Sequence, residues 1–477
     1  MKWETVIGLE THVELATANK LFCSCSTAFG AEPNRNCCPL CLGKPGAKPV
    51  LNEQAVELAV RGALALGCRV EPVSMFDRKH YSSPDLPRGY QITQFYRPLA
   101  KDGTVHFTTE DGRDCAVGIA ELHLEDDAGR MLHDRENGTA QVDFNRSGVP
   151  LIEIVTQPDF RAGEEVVAYL EELKTILQYL GVSDCKLQEG SLRCDVNLSV
   201  RPLGSKTFGT RTEMKNLGSF RAVRRAVAYE SQRQIALLES GGQVAQETRR
   251  WDEDKNESVA MRVKENASDY RYIPEPDLLP LRLSEEKLAV WRAAQPELPA
   301  EKRERYAREC DLPDYDIGVL TSQRALAEFF EETVAFGASP KQAANWILGQ
   351  VLRQLSQRGL EAAELPLKPK VLARIIAMVE EGRINRNTAV QVFDAVFDGG
   401  DPDAYVKDNG LELVCDTAAV ERAVEQVLRE HPGPVSDFQA GKEKSFGFLV
   451  GQTMRLLGGK ADPKAVNIIL KNKLRLG

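Results

Sequence analysis

Val6-Ile-Gly-Leu-Glu-Thr-His-Val-Glu-Leu15 reads as an alternating segment. A strand has a side-chain period of two, so Ile7, Leu9, Thr11, Val13 and Leu15 face one way and Gly8, Glu10, His12 and Glu14 the other. Three further segments repeat the pattern. In 119–125, Leu122 and Leu124 alternate with Glu121, His123 and Glu125; in 149–155, Glu153 alone interrupts an apolar run. In 192–200, Leu192, Cys194, Val196, Leu198 and Val200 oppose Arg193, Asp195, Asn197 and Ser199. Segment 210–217 adds Arg211, Glu213 and Lys215. Each strand alone is most simply a wetted face of an antiparallel sheet. Together they predict a sheet whose polar face could hold a hard divalent cation and its phosphates, because magnesium takes carboxylate oxygens and keeps water and phosphate as its other ligands. His12 also admits manganese or zinc.

Helical spacing surrounds these strands. Val166, Tyr169, Leu170, Leu173, Ile176, Leu177 and Leu180 follow a 3.6-residue period that stops at Gly181. A second helix is predicted from a Ser219 cap to Gly241. Beyond residue 290 almost every segment is helical, with helices near 299–309, 321–336, 341–358, 368–381 and 386–397. Gly399-Gly-Asp-Pro402 breaks the series, and helices near 416–430, 446–457 and 463–474 follow. The fold class is therefore α+β. With 477 residues and about 150 per domain, three domains are expected, over 1–292, 293–405 and 406–477.

The chain carries 61 Lys plus Arg against 70 Asp plus Glu, a formal charge of −9, which excludes a uniformly basic nucleic-acid coat. Residues 436–477 nevertheless hold eight basic and three acidic groups, +5, leaving −14 for the rest. A basic helical tail can hold phosphates non-specifically, although a solvated basic face has the same composition. No apolar stretch is long enough for a membrane span, and the start lacks a signal-peptide core. A cytoplasmic protein without membrane contact is expected. No P-loop, Rossmann glycine motif, nucleophile elbow or glycine- and serine-rich amidase stretch is present.

Five of the eleven cysteines lie between Cys23 and Cys41. Cys23-Ser-Cys25 and Cys38-Pro-Leu-Cys41 are two pairs whose turns could present four thiolates to one zinc ion, and four sulfurs close a structural rather than a catalytic site. Reduced thiols or a redox pair are the alternatives, and spacing leaves open whether Cys37 or Cys38 ligates. Two loops, 77–90 with Arg78, Lys79, His80, Tyr81, Arg88 and Tyr90, and 268–277, carry basic and aromatic groups suited to binding.

Six stretches share a signature: Ile7-Gly-Leu-Glu-Thr-His12, Phe29-Gly-Ala-Glu-Pro-Asn34, Cys38-Pro-Leu-Cys-Leu-Gly43, 145–159, Cys194-Asp-Val-Asn197 and Tyr270-Arg-Tyr-Ile-Pro-Glu-Pro-Asp277. In these the chain resembles, over essentially its whole length, the GatB family of aspartyl/glutamyl-tRNA amidotransferases. The resemblance implies a glutamine-synthetase-like cradle with an antiparallel sheet, then a helical domain and a YqeY-type tail. It implies a heterotrimer with an amidase, GatA, which frees ammonia from glutamine, and a small third protein, GatC. A non-discriminating synthetase is a further partner it allows. The GatB protein would use ATP to phosphorylate Glu on tRNA(Gln) or Asp on tRNA(Asn), and ammonia would displace the phosphate; sequence leaves the choice of tRNA open.

The family's phosphorylating centre maps onto Glu10, His12, Glu125, Glu153 and Asp195, with magnesium or manganese at Glu10, His12 and Glu125. Its ammonia passage maps onto Lys79, Tyr81 and Arg88, where the family usually has Lys at position 88. The implied tRNA contacts in the tail are Lys460, Lys464, Lys471 and Lys473. Zinc at Cys23, Cys25, Cys38 and Cys41 would be an optional brace. A zinc-stapled tRNA scaffold and a stand-alone metal-dependent phosphotransferase are the competing readings.

Overall fold

The computed structural model describes residues 2–134, 137–263, 270–413, 417–458, 461 and 463–476. Two compact units result, 1–298 and 299–477. The first is built on a nine-stranded sheet. Its strands are β1 (Trp3–Glu14), β2 (Arg69–Val70), β3 (Ala100–Thr108), β4 (Asp114–Asp126), β5 (Pro150–Thr156), β6 (Leu192–Pro202), β7 (Thr212–Lys215), β8 (Glu247–Asp252) and β9 (Glu257–Val263). Their order is β9-β8-β7-β6-β1-β5-β4-β3-β2, antiparallel except for the parallel β7–β8 pair. β1 is thus the central strand, flanked by β5 and β6.

The predicted alternation is observed. Ile7, Leu9 and Val13 of β1, Ile152 and Ile154 of β5, Leu122 and Leu124 of β4, and Val196 and Leu198 of β6 are buried in one core. That core is completed by α1 (Glu53–Ala65), α2 (Gly163–Tyr179) and α3 (Phe220–Glu239). The caps follow local chemistry: Asn52 accepts from the backbone N–H groups of Gln54 and Ala55, and Ser219 from that of Ala222. α1 is absent from the sequence prediction, although Ala55, Val56, Leu58, Ala59, Val60 and Ala63 give it a buried face.

The two predicted loops are zipped together. Asp77–His80 pairs antiparallel with Tyr90–Thr93, and Ile273–Pro274 joins beside Asp77–Arg78. Buried Asp77 accepts from the N–H groups of Phe95 and Tyr96, at 2.8 and 3.0 Å, and Arg78 grips Glu275 with two bonds of 2.6 and 2.8 Å. The Arg78–Glu275 bonds join segments almost 200 residues apart, so no local pattern announces the third strand of the ribbon.

The second unit is helical. Helices from Pro299–Glu309 to Pro402–Asp408 surround Phe330, Trp346, Ile376 and Phe393, and four more from Thr417–Glu430 to Pro463–Leu476 surround Val424, Leu449 and Leu470. The segment predicted over 341–358 runs from Pro340 to Arg358 through a wider turn at Ile347–Val351. Asp314–Leu320, Pro402–Asp408 and Pro432–Gln439 are short helices beyond the predicted set. At the Gly399-Gly400 break, Pro402 opens a helix that Asp401 caps, since proline is favoured at a first helical position.

Leu173 of α2 is fully buried in the sheet–helix core. Leu173→Ala is expected to destabilise the first unit by about 2–5 kcal/mol, read as a lower denaturant midpoint with β-sheet circular dichroism retained in buffer.

Candidate functional site

Register brings the acids together. His12 lies directly across from Glu153, and Glu153 from His123 on β4, at spacings where same-face side chains meet. His12 Nε2 stands 3.5 Å from Glu153 Oε2 and 3.6 Å from Glu125 Oε1. His123 Nε2 lies 3.1 Å from the same Glu153 oxygen and 3.8 Å from Glu125 Oε2. Its Nδ1 is buried without a hydrogen bond, 3.8 Å from Glu121.

The Glu125 carboxylate is 3 % exposed and that of Glu153 12 %. Burial, reinforced by the charge of Glu153, pushes the Glu125 carboxyl up. Burial acts likewise on Glu153, but His12 and His123 overcome it and hold that carboxyl well below its ordinary range. Burial would depress His12; the two carboxylates reverse this and lift it to about 9. Lys79 is also raised against burial, by the charge of Glu125. Its ammonium lies 5.0 Å from the Tyr270 ring and 5.9 Å from that of Tyr81.

Glu10 belongs to a neighbouring group. Two residues from His12 on the same face, it lies across from Asp195, and one oxygen each of Glu10, Asp195 and Glu213 gather within 4.8 Å. Asn197 Nδ2 donates to Glu10 at 2.9 Å. The Lys215 ammonium bonds to Asp195 and stands 3.3 Å from Glu213. His12, Glu125 and Glu153 gather equally closely without an interposed lysine. Either group could hold a cation, and oxygen donors with one imidazole suit magnesium or manganese.

His12 and Glu125 of one group and Asp195 of the other line one cavity of about 830 Å³, together with Lys79, Tyr81 and Lys215, while Glu10, Glu153 and Glu213 are outside that lining; its size suits a nucleotide-sized ligand. Arg130, Arg146 and Arg193 line it too. Arg193 reaches Asp127 at 2.8 Å, while Arg146 donates to the carbonyls of Ala128 and Gly129. Sequence reading left these cations and His123 out of the site, because a charge on an alternating strand looks the same whether it meets water or a ligand. Arg88 lies outside this lining, ion-paired with buried Asp126.

The four thiols of Cys23, Cys25, Cys38 and Cys41 form a second candidate metal centre. Cys41 Sγ lies 3.6 Å from that of Cys23 and 3.7 Å from that of Cys38, near the roughly 3.8 Å edge of a tetrahedron with 2.3 Å zinc–sulfur bonds. Donation from Cys23, with the buried Lys20 ammonium at 3.4 Å, pulls the Cys41 thiol down to about 4. Cys37 instead faces Asn145 Oδ1, at 3.8 Å. Gly43 ends the turn at φ +65°, where a Cβ would meet the Pro87 carbonyl at 2.5 Å.

Residues 5–289 match the GatB/GatE catalytic domain and residues 328–474 the GatB domain. The chain belongs to the GatB family. Relatives named as the B subunit of aspartyl/glutamyl-tRNA(Asn/Gln) amidotransferase include those of Caldicellulosiruptor saccharolyticus, 52% identical over 99% of both chains, and Lachnoclostridium phytofermentans, 50% identical over 99% of both. That of Thermosynechococcus vestitus is 50% identical over all of this chain and 97% of its own. The GatB signatures coincide with the site: the Ile7–His12 stretch supplies His12, and 145–159 supplies Glu153.

Of the tail lysines, Lys473 bonds Glu425 at 2.6 Å and Lys471 lies 5.6 Å from the Phe446 ring. Lys464 is in the helix Pro463–Leu476, and Lys460 lies outside the described residues. No helix among the described residues is long and apolar enough to cross a membrane.

Cation binding requires an unprotonated imidazole, and His12 holds its proton to about pH 9. Manganese affinity of the full chain is therefore expected to rise about tenfold per pH unit from pH 7 towards 9, with about one proton released per ion. Calorimetry in buffers of different ionisation enthalpy measures both; a flat pH profile would remove His12 from the cation site.

Proposed function

We propose that this chain is the phosphorylating component of a glutamine-dependent aminoacyl-tRNA amidotransferase, converting Glu-tRNA(Gln), Asp-tRNA(Asn) or both to the amidated forms for translation. The observation that carries this reading is the His12–Glu125–Glu153 cluster, whose His12 and Glu125 line a nucleotide-sized cavity together with Lys79. The GatB membership and the relatives' names supply the reaction class.

A substrate carboxylate oxygen attacks the γ-phosphorus of ATP and ADP leaves; ammonia then attacks the acyl carbon of the resulting acyl phosphate, and phosphate leaves. Both steps crowd negative charge, so catalysis is chiefly positioning and electrostatic stabilisation. Lys79 brings a permanent positive charge to the cavity, and Lys215 fixes Asp195. Tyr81 and Lys79 line the approach for ammonia, and Arg88, held by Asp126, braces the ribbon that carries them. His12, Glu125 and Glu153 would hold magnesium or manganese, with Glu10 and Asp195 beside them. Such an ion neutralises phosphate oxygens when bound.

With no amidase stretch in the sequence, the nitrogen would come from the partner amidase GatA, assembled together with GatC in the cytoplasm. The basic tail, with Lys464, Lys471 and Lys473, suits tRNA phosphates. The four thiols suit a structural zinc, because their spacing closes a tetrahedron with no open position.

In the reconstituted trimer, Glu125→Gln is expected to lower ATP-dependent amidation of misacylated tRNA at least about 100-fold, while glutamine hydrolysis persists. Normal amidation by this variant would refute the assignment. Elemental analysis should find one zinc per chain in the wild type and in Cys37→Ser, and none in Cys38→Ser.

A further inference from the structure

The segment between the two cysteine pairs is a strap along the cavity. Residues Thr27 to Ala31 line the same space as His12, Glu125 and Asp195. Both ends of the strap are fastened. At one side stand the four clustered thiols. At the other, Asn145 donates to the carbonyls of Ala31 and Glu32, at 3.3 and 2.8 Å, and accepts from the N–H of Asn36 at 2.8 Å. Asn34 adds three bonds, from its N–H to Asp143, from its amide nitrogen to the Val142 carbonyl, and to its amide oxygen from the N–H of Phe144, all between 2.8 and 3.0 Å.

Between these anchors the chain turns at Gly30, φ +83°, and leaves Phe29 69 % exposed. Single exposed apolar residues are ordinary on a protein surface. Phe29 differs in its place. Among the described residues it is the one large exposed hydrophobic side chain that lines this cavity. The strap that carries it is tied to residues that belong to the site: Asn145 precedes the cavity arginine Arg146, and Asp143, which holds Asn34, pairs across a two-stranded ribbon with Arg130.

A nucleoside triphosphate with its phosphates among the cations and acids of this cavity must leave its base against another part of the wall. A flat apolar ring needs a π-face there, and aromatic stacking on a base is strong and independent of base-edge hydrogen bonds. We propose that Phe29 is the stacking platform for the adenine ring of the nucleotide, and that the four-cysteine knuckle and the Asn34–Asn145 bonds hold this platform in place. The inference rests on the ATP-dependent reading above and adds to it the site of base recognition.

Calorimetric titration of the full chain with magnesium–ATP and with magnesium–tripolyphosphate, which lacks a base, tests it. Phe29→Ala is expected to weaken ATP binding about tenfold and to leave tripolyphosphate binding unchanged; Phe29→Trp should retain ATP affinity. The exposed side chain can be removed without touching the core, and unchanged zinc content in each variant checks that the strap remains fastened. Equal ATP affinity in wild type and Phe29→Ala would overturn the platform while leaving ATP use intact. Equal weakening of both ligands would also overturn it, as would loss confined to tRNA binding. Absence of ATP binding by the wild-type chain would overturn the platform and the ATP-dependent reading together.

Discussion

Carboxylates on a largely buried sheet face persist only while positive charge stands among them. Everything around the cavity serves that constraint. Glu153 lies between two imidazoles, Glu125 faces His12, His123 and Lys79, Asp195 and Glu213 share Lys215, and Asp126 and Asp127 each hold an arginine. Removing one partner would strand its neighbour's charge, so the arrangement is both a scaffold and an electrostatic site. The sheet's other face, packed on three helices, gives these side chains a rigid base.

The peripheral elements extend the same logic. The ribbon carrying Lys79 and Tyr81 is tied by Asp77, by Arg78 to Glu275, and by Asp126 to Arg88 and the N–H of Ile92. Lys20, fully buried, joins the thiol cluster to the Phe144 carbonyl, one residue before Asn145. The knuckle and the wall of the cavity are therefore a single hydrogen-bonded assembly, although they come from segments more than a hundred residues apart.

The division between legible and illegible features follows from that distance. Which face of β1 carries Glu10 and His12 is a local property of alternation, and the capping of α3 by Ser219 is local as well. The cysteine pairs announced a four-thiol centre because C-x-C and C-x-x-C turns are short. Register is different. That His12 meets Glu153, and Glu10 meets Asp195, is decided by pairing across 140 to 190 residues, and a shift by one residue would reverse every side chain. For this reason the four acids and one histidine implied by resemblance divide into two groups. His123, Arg193 and Lys215 stood on the predicted faces without any local mark to separate them from solvated charges.

The two groups along β1 also differ in kind. The Lys215 ammonium occupies the Glu10–Asp195–Glu213 group, and its carboxylates hold that charge well above the ordinary lysine range. A divalent ion there must displace or share a covalently attached cation. Around Glu125 and Glu153 the facing charge includes the proton on His12, which deprotonates near pH 9 and exposes a ligand nitrogen as it leaves. Exchange of a proton for a metal costs far less reorganisation than removal of a lysine. The sheet thus fixes positive charge at one end of the row, where Lys215 bonds Asp195, and leaves at the other a group, His12, Glu125 and Glu153, that could take up an ion as the His12 proton leaves.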